Sequence, residues 1–262
     1  MKYAIDNVVI EVTRRCNMCC DHCLRGDTQN KDMDLNHVRA LFSHIDNINT
    51  LTITGGEPSL VPHIIKGIVE EARMAGVSVE SFYIATNAKS VSDDFLRAVF
   101  DLYMYCDNKC DDECGCMLQI SNDGHHDYVD DINIQKLRAF RFTSFRNNSR
   151  ERLDEGFVGV IDQGRGGGLR CRSLKVYPFD IEDDRITEPE FYLSVYGDVF
   201  GACDLSYETQ GILAYELGAN VQDPKFTVRK AVEAWNRLTI SSDSINDIIY
   251  SLERKEHELQ EF

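Results

Sequence analysis

No stretch of this sequence approaches the roughly 18 consecutive apolar residues that a membrane-spanning helix needs. The opening residues, Met1-Lys2-Tyr3-Ala4-Ile5-Asp6, also lack the apolar core of a secretory signal. These absences exclude a membrane-spanning protein and predict a cytoplasmic one. Internal repeats and low-complexity linkers are missing too, and the ordinary balance of apolar and charged residues excludes wholesale disorder, a collagen-like chain and a coiled coil. Positive charge is in short supply: 28 lysines and arginines face 44 aspartates and glutamates, a formal charge of −16. A field of that sign repels polyphosphate, so extended nucleic acid is a poor partner unless the basic residues cluster. A small substrate, a cofactor or a peptide suits it better, although solubility alone would ask for the same charge. With 262 residues, 43% hydrophobic and 27% charged, the chain fits one large α/β domain or a barrel with a small appendage.

Cysteine is abundant. Eight of the ten fall in two groups, Cys16, Cys19, Cys20, Cys23 and Cys106, Cys110, Cys114, Cys116, while Cys171 and Cys203 stand apart. A reducing compartment keeps thiols free, and a core of this size needs no staples. Clustered cysteines in such a chain read as metal ligands.

Through residue 145, apolar β-rich runs alternate with segments of helical spacing. The runs are Val8–Val12, Leu51–Thr54, Ser81–Ala85, Met117–Ile120 and Phe140–Phe145, and the helical segments Leu35–Ile45, Val61–Ala75, Asp93–Tyr103 and Ile132–Ala139. Ser92 caps the third helix. A sixth strand is expected at Phe157–Ile161. Such alternation predicts a parallel sheet with helices outside, and six units fall short of the eight in a complete barrel. The expected fold is therefore α/β, a partial (β/α)6 TIM-like barrel over residues 1–170 with a cysteine-rich insertion at 104–116. A small α+β cap follows over 171–262. There Leu174–Phe179, Phe191–Tyr196 and Val199–Ala202 read as antiparallel strands around a Gly197-Asp198 turn, before helices at Thr227–Leu238 and Ile245–Glu258.

The first cysteine group directly follows the first strand and allows two readings. Cys16-x2-Cys19 with Cys20-x2-Cys23 offers four thiolates to a tetrahedral zinc, although adjacent cysteines struggle to reach one metal. Cys16-x3-Cys20-x2-Cys23 offers three thiolates to three irons of a four-iron cluster and leaves the fourth iron open. A cluster that only carries electrons ordinarily takes four cysteines.

The segment Glu11-Val12-Thr13-Arg14-Arg15-Cys16 through Cys23-Leu24-Arg25-Gly26 resembles the signature loop of radical S-adenosylmethionine enzymes. The resemblance covers about residues 5–165. It implies a [4Fe–4S] cluster on Cys16, Cys20 and Cys23, with S-adenosylmethionine chelating the open iron. Reductive cleavage would then give methionine and a 5′-deoxyadenosyl radical that abstracts hydrogen from the substrate. Thr54-Gly55-Gly56-Glu57-Pro58 is similar to the family's motif for the methionine ammonium. Its glycines would let backbone approach the ligand, and its carboxylate would face a cation. Thr86, Asn87, Ser121 and Asp123 resemble groups that contact the cofactor's ribose or carboxylate, though all could be helix caps. A reductant such as flavodoxin or ferredoxin is the implied electron donor.

Cys106, Cys110, Cys114 and Cys116 lie in an insertion relative to the family pattern and read as a second metal site, either a structural zinc or another iron–sulfur cluster. Residues 190–209 resemble the hairpin that opens the twitch or SPASM extensions of peptide-modifying members. Five residues separate Gly197 from Cys203 where that motif has four, and few cysteines follow. For Cys171 and Cys203 a buried apolar thiol is the competing reading. Gly164–Gly168 lacks the Gly-Lys-Ser/Thr end of a phosphate loop. Gly-Arg-Gly at this place occurs in related peptide-modifying enzymes, so Arg165 is a candidate to face the cofactor or a substrate carboxylate. His125, His126 and Asp127 are candidate acid–base groups. The leading expectation is an enzyme modifying a peptide or protein side chain. The alternatives are a nucleotide or small-metabolite substrate, or a non-catalytic zinc or iron–sulfur scaffold or electron carrier.

Overall fold

The computed structural model describes residues 2–107, 115–121, 126–146, 161–167, 173–240, 242 and 244–260. Five parallel strands form the frame: β1 (Tyr3–Thr13), β2 (Ile45–Gly55), β3 (Ser78–Thr86), β4 (Met117–Ser121) and β5 (Thr143–Arg146), in the order β5-β4-β3-β2-β1. Between them run α1 (Leu35–Phe42), α2 (Pro62–Ala75), α3 (Asp93–Tyr105) and α4 (Asp131–Leu137). This is the expected α/β architecture of a partial barrel. Val8–Thr13 is buried without interruption because β1 is covered on both faces, as the continuous apolar run of a central parallel strand requires. Its register sets Val8 beside Leu51 and Ile10 beside Ile53. Ser92 caps α3 as expected, its hydroxyl accepting from the Phe95 amide at 3.1 Å.

Beyond residue 173 the expectations need correction. Phe191–Tyr196 is not purely antiparallel. Strand β8 (Phe191–Leu193) runs parallel to β1, with Val8 beside Phe191, and antiparallel to β9 (Val199–Phe200) across the Gly197-Asp198 turn. A short antiparallel pair, β6 (Ile181–Glu182) and β7 (Arg185–Ile186), joins the same edge of β1 through β7. Leu174–Phe179 makes a single bridge, Lys175 to Ser244. Its backbone is taken up instead by side chains of α6 (Val228–Thr239): Trp235 Nε1 donates to the Tyr177 carbonyl at 2.9 Å, and Asn236 pairs with both backbone groups of Phe179. The strand expected at Phe140–Phe145 begins only at Thr143, because Phe140 and Phe142 stack with centroids 5.0 Å apart before it. Of the sixth strand expected at Phe157–Ile161, residues 157–160 lie outside the described residues.

Among the described residues there are two further helices, α5 (Tyr207–Leu217) and α7 (Ile245–Gln260). Helix α5 was not anticipated. Its buried positions include Thr209 and Gln210 alongside Tyr207, Leu213 and Leu217, so no apolar stripe marks it. Trp235, 1% exposed, lies so close over Gly201 that a Cβ there would strike the indole. Trp235→Ala is expected to cost about 3–5 kcal/mol. It would lower the thermal midpoint by on the order of 10 °C, read by circular dichroism.

Candidate functional site

The site begins where β1 ends. Thr13 Oγ1 donates to Asp32 Oδ1 at 2.6 Å, and Arg15 grips the same carboxylate with two nitrogens at 2.9 and 2.8 Å. Burial alone would raise the Asp32 carboxyl, but the hydrogen bonds from Arg15 and Thr13 hold it below its ordinary value. The Arg14 amide donates to the Lys31 carbonyl and the Met33 amide to the Val12 carbonyl, closing the neck of a loop that carries all four cysteines of the first group. Behind the neck, buried Glu11 accepts from Arg14 Nε at 3.1 Å and from the Val195 amide at 3.0 Å. Arg14 also donates to Gln29 and Gln210. That network ties β1, the loop, the β8–β9 hairpin and α5 together. Removing one member of such a buried pair costs roughly 3–5 kcal/mol.

The loop faces a cavity of about 260 Å³ at the carboxyl ends of the parallel strands, where α/β sheets place their ligands. Cys16, Cys20 and Cys23 line it, as do Gly55, Gly56, Glu57, Thr86, Asn87 and Ser121. Cys19 is exposed and does not. Among the described residues no three His, Cys, Asp or Glu side chains converge on the position of one metal ion. Burial, then the neighbouring Cys16 and Cys23 thiols, push the Cys20 thiol up to about 11. Burial likewise raises Cys16. Three cysteines on one cavity wall form a donor set suited to a strongly cationic group.

The Gly-Gly-Glu-Pro turn lines the cavity and packs on the cysteine loop. Gly56 lies against the backbone of Arg14 and Arg15, where a Cβ would strike the Arg15 carbonyl, and its amide donates to the Thr13 carbonyl at 2.7 Å. Its bareness therefore serves the packing of β2's end on the cysteine loop. Glu57 is 1% exposed. Its Oε1 accepts from the Ser59 amide (3.0 Å) and the Thr86 hydroxyl (2.7 Å), and its Oε2 accepts from the Asn87 amide (2.8 Å). Burial pushes the carboxyl up against these bonds. No lysine, arginine or histidine pairs with it among the described residues. A carboxylate offers about four acceptor positions, and these bonds occupy three of them. The Asn87 amide group donates to Asn17 at 2.8 Å and approaches Cys16 Sγ at 3.9 Å, linking the third strand to the first cysteine.

His126 lines the cavity, its ring edge-on to His22 at 5.1 Å, while Asp127 pairs with Lys89. Asn122, Asp123 and His125 lie outside the described residues, as do Cys110, Cys114 and Cys171. Cys106 and Cys116 are buried in the core, at the end of α3 and just before β4, which is the opposite end of the sheet from the cavity. Burial drives the Cys203 thiol well above its ordinary range. Arg165 does not line the cavity, and its guanidinium instead braces the loop. The cavity also recruits residues that no spacing indicated: His22, Ile161, Asp204 and buried Arg25, which donates to the Leu205 carbonyl at 2.7 Å.

A parallel sheet that gathers a cysteine loop and a buried carboxylate around one cavity at its carboxyl ends has the fold of the radical S-adenosylmethionine enzymes. The solved structure of anSMEcpe with bound AdoMet, one such enzyme, aligns with a TM-score of 0.54 at 12% identity, covering 90% of this chain and 84% of that one. Native anSMEcpe with bound AdoMet and Cp18Cys peptide gives 0.56 at 10% identity, covering 91% and 84%. In sequence, 101 residues are 27% identical to the uncharacterised protein MJ0907 of Methanocaldococcus jannaschii. That match takes in 37% of this chain and 35% of the relative, so the chain spans about a third of that curated protein's length. No family model matches the chain.

Proposed function

We propose that this protein is a radical S-adenosylmethionine enzyme acting on a peptide or protein side chain. The observation that carries the reading is the sorting of the first cysteine group: Cys16, Cys20 and Cys23 line one cavity with Glu57, and Cys19 faces away. A tetrahedral zinc needs its ligands on one atom, whereas a four-iron cluster spreads three thiolates over three irons. A cluster that only relays electrons would take four thiolates.

When bound, the cluster and S-adenosylmethionine supply a reducing electron and a 5′-deoxyadenosyl radical for hydrogen abstraction. The chain's own residues bind, orient and shield. Cys16, Cys20 and Cys23 hold the cluster. Glu57 presents its open acceptor position to the methionine ammonium, held in place by Ser59, Thr86 and Asn87. Ser121 stands at the end of β4 to receive a polar part of the cofactor, with Asp123 assigned beside it from the sequence. The peptide preference draws support from the likeness in fold to anSMEcpe, solved with a Cp18Cys peptide.

The test is release of 5′-deoxyadenosine from S-adenosylmethionine by anaerobically reconstituted, dithionite-reduced protein, followed by mass spectrometry. Release is expected. Protein that carries a reduced four-iron cluster yet binds no S-adenosylmethionine would sink the reading.

A further inference from the structure

The Gly164-Arg165-Gly166 turn packs directly on the cysteine loop. Gly164, at φ +56°, lies where a Cβ would strike the Leu24 carbonyl, the Gly26 amide and the Cys23 carbonyl. That contact admits only glycine. The next residue then reaches the loop at three points. The Arg165 amide donates to the Cys23 carbonyl at 2.9 Å, its Nε to the Cys20 carbonyl at 3.0 Å, and its Nη1 to Asp27 Oδ1 at 3.0 Å. Asp27 is 93% exposed in its side chain, so that ion pair contributes little. What fixes the guanidinium is the loop's own backbone.

Resting on the reading that Cys16, Cys20 and Cys23 hold a cluster, we infer that Arg165 is a positioning residue: it clamps the segment carrying Cys20 and Cys23 and sets a fixed positive charge beside them, raising the cluster's reduction potential. Two carbonyls of ligand-bearing residues accept from one residue, that of Cys23 from its backbone amide and that of Cys20 from its side chain, which fixes how those cysteines are presented. Net charge around a cluster is among the levers on its potential, and a cation held nearby stabilises the reduced, more negative state. Because Arg165 lies outside the cavity lining, this role needs no contact with cofactor or substrate.

The test compares the full-length parent with Arg165→Gln and Arg165→Lys. In cluster-loaded protein of equal iron content, potentiometric titration followed by electron paramagnetic resonance should place the Gln variant at a more negative midpoint, with the Lys variant close to the parent. In cluster-free protein, amide exchange at Cys23 and Gly26, both bonded within the loop, should quicken in both variants by about fivefold, the worth of one hydrogen bond. Lysine keeps the charge but cannot reproduce the fork. A Gln variant with the parental midpoint overturns the inference, and so does unchanged loop exchange in both variants. A parent that takes up no cluster refutes the proposed function instead, and the exchange comparison alone then decides the role of Arg165.

Discussion

Cys20→Ala protein, reconstituted beside the parent and Cys19→Ala, is expected to release no 5′-deoxyadenosine and to lose most of its iron. Cys19→Ala is expected to keep its iron and to release the product at close to the parental rate. The two residues are neighbours in the chain, so composition, local charge and loop length are equal controls for one another. They differ in what they face. Cys20 lines the cavity, and burial together with two neighbouring thiols raises its pKa to about 11. Cys19 is exposed and off the cavity wall. Removing one of three thiolates leaves an iron without a protein ligand, and no spare thiol from the loop lines the cavity to replace it. If Cys19→Ala proves as damaging as Cys20→Ala, four cysteines are in use and the zinc or electron-carrier readings return. Iron and zinc content, measured on the same samples, distinguishes those two.

The cysteine loop and the Gly-Gly-Glu-Pro turn were legible because their chemistry is written in short, contiguous stretches. Strands β1 to β4 were legible for a similar reason: each is an apolar, β-rich run between turn residues, and a parallel strand buried on both faces must look like that. What escaped depends on long-range contacts. Nothing near Phe191 indicates that it pairs in parallel with Val8, more than 180 residues earlier. The direction of β8 follows from where β1 leaves an edge open, and a local pattern carries no such information. Helix α5 escaped because its inner face is partly polar, with Gln210 accepting from Arg14 and donating to Tyr192 and the Leu205 carbonyl. Arg25 hid in plain view as a basic residue just after the first cysteine group, and only the fold shows it buried against the Tyr192 ring at 5.2 Å. Gly56 was readable as a glycine that matters, and Gly164 was not. In neither case was the reason legible, backbone pressed against the loop's backbone.

Glu57→Gln is expected to weaken S-adenosylmethionine binding by about 10- to 100-fold at neutral pH, the scale of a hydrogen bond to a charged group. Three donors already converge on the carboxylate: the Ser59 and Asn87 amides and the Thr86 hydroxyl. A glutamine must turn its amide nitrogen toward one of the two backbone N–H groups, whichever way it is flipped. With its oxygen on Ser59 and Thr86, the nitrogen meets the Asn87 amide and also replaces the acceptor left for the ligand's ammonium. The charge is lost as well. The pH dependence gives a second, independent sign. Burial raises the Glu57 carboxyl in the free protein, and only the ionised form attracts an ammonium. The parent's affinity should therefore be full above that raised pKa and fall as the pH drops through it, because protonation removes the anion. The Gln variant has nothing to titrate there and should show a flat profile across the same window. Equilibrium binding to cluster-loaded protein of matched iron content reads both effects. If the Gln variant keeps parental affinity and the parental pH profile, the carboxylate does not face the ammonium. Glu57 would then be a strut joining β2 to β3, and the methionine end of the cofactor would have to be held by other groups of the cavity wall.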